Sequence, residues 1–250
     1  MCAYSDFARF YDLLTGNVEY SRRADYFLKL SEHVGHQPKL ALDLACGTGS
    51  FTLELFRRGV DVYGVDTSVE MLSEARQKCS DAGVDLLFLC QEMQSLDLYG
   101  TVDTAFCTLD SLNHLPGKDD LLAAMKQVHF FMDPGGWFFF DMNTPYKHKE
   151  VLGNNTFVYE FDDLFCVWQN AYSTEEHEVE ITIDFFEQVG ELYERSSEQF
   201  SERAYDTDKV CALLKEAGFD RVEVYDELTF DPPRADSQRL VYAAQKPESK

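Results

Sequence analysis

Asp43-Leu44-Ala45-Cys46-Gly47-Thr48-Gly49 is the stretch on which the fold turns. It closes a short apolar run, Leu40–Leu44, and opens a helical stretch at about 50–58, so it reads as a strand-to-helix turn. Glycines suit that place because the chain reverses sharply and a ligand must approach the backbone closely. Downstream the βα rhythm repeats. Strand 61–65 leads to a helix at about 68–82, with Thr67 and Glu70 reading as a capping box and Gly83 as its stop. Leu86–Leu89 and Thr101–Cys107 read as further strands, and 118–131 as a helix ended by Asp133-Pro134-Gly135-Gly136. Trp137–Phe140 is wholly apolar, as expected for the centre of a parallel sheet covered on both faces.

Upstream, residues 3–34 read as helices interrupted at Gly16-Asn17, and Pro38 precedes the first strand. Beyond residue 150 the rhythm breaks. Val179, Ile181, Ile183 and Phe185 alternate with Glu180, Thr182 and Asp184, the period of a half-buried strand. Three antiparallel strands are expected here, at about 157–172, 177–188 and 191–203. A helix at 207–217 and strands at 221–227 and 238–245 close the chain. The predicted fold is α/β: a doubly wound, Rossmann-like sheet with a helical N-terminal cap and a small antiparallel β insert. The expected divisions are the cap at 1–37, the core at 38–150 and 206–250, and the insert at 151–205.

The 250 residues carry 22 Lys+Arg against 45 Asp+Glu, a formal charge of −23. That balance argues against nucleic acid as a partner, since such binding depends on basic side chains replacing counterions. It argues equally against anionic lipid. The charge is uneven: residues 155–205 hold 13 acidic and 2 basic side chains together with 11 of the 35 aromatics. The seven cysteines are odd in number and none has C-x-x-C spacing, so neither a disulfide framework nor a zinc site is indicated. Met1–Asp6 shows neither a basic nor an apolar leader pattern, and no apolar run reaches 18 residues. The expectation is a cytoplasmic protein off the membrane, with no metal site.

The chemistry gathers around the opening turn. Asp66, at the tip of the second strand, stands where an acid accepts both hydroxyls of a ribose. A dinucleotide site would continue G-x-G-x-x-G, but Thr52 occupies the third position. Asp43, just before the turn, disfavours a pyrophosphate and suits an ammonium. A cofactor with ribose, adenine and ammonium but no phosphate is S-adenosylmethionine.

These residues, with Val65-Asp66-Thr67-Ser68 and Met71-Leu72, resemble the class I S-adenosylmethionine-dependent methyltransferases. Phe7-Ala8-Arg9-Phe10-Tyr11-Asp12-Leu13-Leu14 and Asp110-Ser111-Leu112-Asn113 resemble one bacterial group of small methyltransferases within them. The resemblance implies that Ala45, Cys46, Gly47 and Gly49 lie along the methionyl part and that Asp43 holds its ammonium directly or through water. It implies Asp66 and Thr67 at the ribose, and Glu92 and Met93 at the adenine. Met71 reads either as an adenine contact or as core, and Asp110 either as a methionyl contact through Ser111 or water or as a helix cap. Tyr11 and Tyr20 would close the cap over the cofactor.

Methyl transfer needs alignment and exclusion of water more than acid–base chemistry. A base is required only for a protonated nucleophile, and His114 and Tyr11 are the candidates. Phe157, Tyr159, Trp168 and Tyr172 of the insert are candidates for an acceptor wall. Its acids suit an amine, or form the solvated face of an amphipathic strand. The expected activity is methyl transfer to a small neutral or cationic acceptor. The alternative is a catalytically idle protein that binds S-adenosylmethionine or S-adenosylhomocysteine and acts through a protein partner. A nicotinamide-dependent oxidoreductase is a third reading, against which the missing glycine speaks.

Overall fold

A computed structural model of the chain describes residues 5–249, with side chains from Phe7 onward. Residues 3 and 4 of the expected first helix, and Cys2, lie outside the described residues. Two helices come first, α1 (Ser5–Leu14) and α2 (Tyr20–His33). Strands β1 (Leu40–Leu44), β2 (Asp61–Asp66), β3 (Phe88–Cys90), β4 (Val102–Cys107) and β5 (Met132–Asn143) then alternate with α3 (Ser50–Arg57), α4 (Val69–Asp81) and α5 (Lys118–Phe130). The chain next leaves the sheet as β6 (Thr156–Glu160), β7 (Leu164–Ser173), β8 (Glu178–Val189) and β9 (Leu192–Arg203). It returns through α6 (Thr207–Ala217) to β10 (Arg221–Asp226) and β11 (Arg239–Gln245).

The main sheet has seven strands in the order β10-β11-β5-β4-β1-β2-β3. β1 to β5 are mutually parallel, and β11 slots antiparallel between β5 and β10. The chain runs outward from β1 through β2 to β3, then restarts at β4 on the other side of β1. Carboxyl ends of strands on either side of such a reversal leave a crevice where ligands bind.

Two-residue periodicity explains how an all-apolar strand serves both faces. In β5, Phe138 and Phe140 join Leu121, Met125, Leu213 and Leu214 of α5 and α6, while Trp137 and Phe139 join Phe27, Leu30, Phe51 and Leu55 of α2 and α3. The second sheet, in the order β6-β7-β8-β9, lays Val179, Ile181, Ile183 and Phe185 against Phe7, Ala8 and Phe10 of α1. The hydrophobic face of the insert is thus covered by the first helix.

Three local expectations are corrected. The insert has four strands, because residues 157–172 fold into a hairpin at 161–163, where Phe161 N–H donates to the Leu164 carbonyl at 2.8 Å. Asp162-Asp163 was the only turn signal in an aromatic run without Gly or Pro. The cap of α4 is Ser68, one residue later than expected: its hydroxyl accepts from Met71 N–H at 3.1 Å and also bonds Glu70. Asp133–Gly136 lies inside β5 as a register irregularity opposite Val102–Thr104, after α5 has ended at Phe130.

Gly64 in β2 shows how tightly the α4 side is packed. A Cβ there would stand 2.6 Å from Cys46 Sγ and 2.7 Å from the Phe88 ring. Gly64→Ala should therefore destabilise the fold by about 1–3 kcal/mol, the usual cost of overpacking. Urea unfolding would reveal it as a lowered midpoint, and an unchanged midpoint would contradict the packing described.

Candidate active site

The crevice opens as a cavity of about 630 Å³ over the carboxyl ends of β1, β2 and β4. Its sheet side is formed by Ala45, Gly47, Asp66, Thr67, Glu92 and Met93, and its far side by Phe157, Tyr159, Trp168, Phe200 and Glu202 of the insert. One space therefore joins the glycine turn to the antiparallel sheet. Among the charged side chains lining it are four carboxylates, Asp66, Glu92, Asp110 and Glu202, against Lys147 and Arg239.

The turn after β1 is held open by left-handed backbone at Ala45 (φ 57°) and Gly47 (φ 54°). Gly47 N–H donates to Asp66 Oδ2 at 2.8 Å and Ser68 N–H to Asp66 Oδ1 at 2.9 Å. Each carboxylate oxygen is thus fixed by a backbone donor and keeps lone pairs for a ligand. Burial raises the Asp66 carboxyl above its ordinary value, against the pull of those two N–H groups. The group fits a ribose: a half-buried acid with spare acceptors and, among the described residues, no Lys or Arg paired with it.

Asp43 does not reach the main cavity. It is fully buried, receives the Thr52 hydroxyl at 2.5 Å, and faces an adjoining space of about 20 Å³ shared with Tyr11, Tyr20 and Gly47. A space of that size accommodates one water. The arrangement fits the water-mediated form of the expected ammonium contact. Burial, with the neighbouring Asp66 charge, pushes the Asp43 carboxyl up to about 7 despite the Thr52 hydrogen bonds.

The remaining expected residues divide. Tyr11 lines both spaces, and its ring edge would lie 4.0 Å from a Cβ on Gly47. Helix α1 is tied there by Asp12, which accepts from Thr48 Oγ1 at 2.6 Å and pairs with Lys78 at 2.6 Å. Tyr20 lines only the smaller space. Gly49 lines neither: a Cβ there would stand 2.9 Å from Ala75 Cβ, so this glycine serves the packing of α3 on α4. The Cys46 side chain packs with Leu53, Leu72, Cys79 and Phe88. Met71 belongs to the α1–insert cluster and also borders the cavity, so both of its readings have a structural counterpart. Glu92 is exposed at the rim and Met93 half-buried beside it. Tyr172 of the expected wall lies outside the cavity lining and bonds His177 at 3.2 Å. Burial drives the Tyr11 phenol well above its ordinary value, which suits a wall and not a base.

Beyond β4 stands a charge cluster that the sequence did not announce. Leu109 and Asp110 both adopt left-handed backbone, at φ 59° and 55°. Non-glycine residues there cost about 1–3 kcal/mol each and persist only where the surroundings impose them. Asp141, fully buried near the end of β5, imposes them: its carboxylate accepts from Leu109 N–H at 3.0 Å and Asp110 N–H at 2.8 Å. It is in turn held by Arg23 at 3.0 Å and Arg239 at 2.6 Å, both of which also pair with Glu227. Arg239 reaches on to Asp110 at 3.0 Å. Burial would raise the Asp110 carboxyl, but Arg239 and Lys147 hold it well below the usual range. Asn143 donates to Asp110 and, at 3.0 Å, to Glu202, and accepts from Lys147 at 2.8 Å. Asp141 and Asn143 were findable as polar residues ending a core strand; Arg23, Lys147, Glu202 and Arg239 carried no local signal.

A family profile described as a methyltransferase domain matches residues 41–136. Over 244 residues the chain is 34% identical to the Bacillus subtilis (strain 168) protein provisionally named methyltransferase YqeM, covering 97% of each. It is 33% identical to a crystal structure of an S-adenosylmethionine-dependent methyltransferase from Clostridium acetobutylicum ATCC 824, with a TM-score of 0.87 over 98% of this chain and 99% of that one. The fold also matches the CcbJ methyltransferase of Streptomyces caelestis at 20% identity, with a TM-score of 0.83 over 99% and 98% of the two chains. The chain belongs to the class I S-adenosylmethionine-dependent methyltransferases, and S-adenosylmethionine is its cofactor. Among the described residues no helix is long and apolar enough to cross a membrane.

With its carboxyl raised to about 7, Asp43 is partly protonated at neutral pH. An ammonium ligand favours the ionised form, so affinity for S-adenosylhomocysteine should rise as pH climbs from about 6 to about 8. In the free protein the sign is opposite: a raised acid makes stability fall as pH rises from the ordinary carboxylate value towards about 7. Asp43→Asn should bind more weakly and with a flatter pH profile than wild type. Calorimetric titration across this range checks both, and a wild-type affinity that falls with rising pH would contradict the role of Asp43.

Proposed function

We propose that the enzyme transfers the methyl group of S-adenosylmethionine to a small neutral or cationic acceptor held between the sheet edge and the antiparallel insert. The observation that carries this is the continuity of the cavity from the glycine turn to the insert, since cofactor and acceptor must meet in one space. Its volume falls in the roughly 300–1,000 Å³ range of small-molecule sites. The excess of carboxylates along its walls disfavours a polyanionic acceptor. In this reading the chain works as a cap (1–37), a core (38–150 and 206–250) and an insert (151–205), and it acts in the cytoplasm, where the six described cysteines stay unpaired.

When bound, the cofactor supplies an electrophilic methyl group on a sulfonium. The residues bind, orient and exclude water. Asp66, Thr67, Glu92 and Met93 hold the nucleoside. Ala45, Cys46 and Gly47 supply the backbone along the methionyl part, with Asp43 behind them and Asp110 to one side. Tyr11 and Tyr20 close the cap, and Phe157, Tyr159 and Trp168 shield the acceptor. His114 is the candidate base for a protonated nucleophile. It lines the cavity, with Nε2 3.7 Å from Glu202 Oε1. No observation favours the catalytically idle alternative.

A thermal-shift comparison tests the reading. S-adenosylhomocysteine should raise the melting temperature, NAD should not, and Asp66→Ala should abolish the shift. No response to S-adenosylhomocysteine, or an undiminished one in Asp66→Ala, would refute the assignment.

A further inference from the structure

The charges of the insert are mostly spent away from the cavity. Glu178 pairs with Arg203, Asp184 with Arg195, and Glu187 with Arg9, while Glu180 is exposed. Glu202 is the one acid of the insert that lines the cavity. Its side chain is only 6% exposed, and among the described residues no Lys or Arg lies within 4.0 Å of it. Oε2 accepts from Asn143 and faces His148 Nε2 at 3.3 Å, while Oε1 has His114 at 3.7 Å. A buried carboxylate is costly unless it is paired, and the ionisable groups facing this one at close range are two imidazoles.

Lys147 presents the complementary case. It lines the same cavity, half-buried, and its ammonium makes one hydrogen bond, to Asn143 Oδ1 at 2.8 Å. Among the described residues no carboxylate lies within 4.0 Å of it. Burial and the neighbouring Arg239 pull the ammonium below its ordinary value, against the opposing pull of Asp110, Glu202 and Glu227. Two of its three N–H donors remain for a ligand.

The carboxamide of Asn143 stands between these two groups, oxygen towards Lys147 and nitrogen towards Glu202 and Asp110. It is itself fixed. Asn143 N–H donates to Asn113 Oδ1 at 2.9 Å, and Asn113 Nδ2 donates to the carbonyls of Asn143 and Arg203 at 3.2 and 2.8 Å. An anion and a cation are thus built into one cavity wall, both bonded to Asn143 and not in direct contact with each other.

We infer that Glu202 and Lys147 recognise opposite ends of the acceptor, which is a small zwitterion bearing an amine and a carboxylate, in the manner of an amino acid. The amine faces Glu202 and the carboxylate faces Lys147. Such a molecule is neutral overall, in keeping with the acceptor class proposed above, on which this inference rests. The same lysine would take a phosphate, but a dianion would meet Glu202 and Asp110 as like charges, so the singly charged carboxylate is preferred.

The test uses the full-length enzyme saturated with S-adenosylhomocysteine. It is titrated by calorimetry with the proteinogenic amino acids, β-alanine and γ-aminobutyrate, each beside its decarboxylated amine and its deaminated acid. At least one amino acid should bind ten-fold or more tightly than both of its truncated partners. Lys147→Met should weaken that amino acid at least ten-fold without weakening the matched amine. Glu202→Gln should weaken it without weakening the matched acid. Affinity for S-adenosylhomocysteine should stay within about two-fold in both variants, which also reports that they are folded. A truncated partner binding as well as its amino acid, or no amino acid binding to a complex that holds S-adenosylhomocysteine, would overturn the inference. Failure of the wild type to bind S-adenosylhomocysteine would instead overturn the functional reading beneath it.

Discussion

Asp141 is the interaction on which the site depends. One buried carboxylate accepts from two consecutive backbone N–H groups and from two arginines. The arginines come from opposite parts of the chain, Arg23 from α2 and Arg239 from the start of β11. The acid therefore fastens the N-terminal cap, the turn after β4 and the closing strand at one point. Removing one partner of such a buried set typically costs about 3–5 kcal/mol, because the others are left charged and unpaired. The strained Leu109–Asp110 turn is the local expression of that constraint, and it brings Leu109, Asp110 and Ser111 to the cavity wall.

From this point the site extends in two directions. Towards β1 and β2, geometry is set mainly by backbone: left-handed Ala45 and Gly47, and N–H groups that clamp Asp66. Towards the insert, it is set by side chains: Asn113 orients Asn143, and Asn143 spaces Asp110, Glu202 and Lys147. The first arrangement suits a constant ligand, the cofactor. The second rests mainly on side chains and suits the part that distinguishes one acceptor from another.

Much of the fold was legible because it rests on periodicity and on turns of known chemistry. Alternation in β8 identified the buried face at Val179, Ile181, Ile183 and Phe185, and Gly83 and Gly218 follow the ends of α4 and α6 as expected. The second hairpin of the insert was hidden because Phe161-Asp162-Asp163 lacks a strong breaker. In the site, Asp66 and Gly47 could be singled out because each sits in a short contiguous motif, and both line the cavity. Gly49 belongs to the same motif yet answers to Ala75, a packing partner 26 residues away that no motif reveals. Lys147, Glu202 and Arg239 were illegible for a related reason: their partners are assembled by tertiary structure. Both readings of the insert's acids have a counterpart, since most of them are paired with arginines or solvated, and one, Glu202, reaches the cavity.

The central claim is that one cavity receives the cofactor at the sheet edge and the acceptor under the insert. A crystal structure of the complex with S-adenosylhomocysteine measures it most directly. The account predicts both ribose hydroxyls on the Asp66 carboxylate, the adenine beside Met93, and the sulfur facing open space bounded by His114, Lys147 and Glu202. A nucleoside bound elsewhere, or a sulfur directed away from the insert with no free space beyond it, would contradict the account.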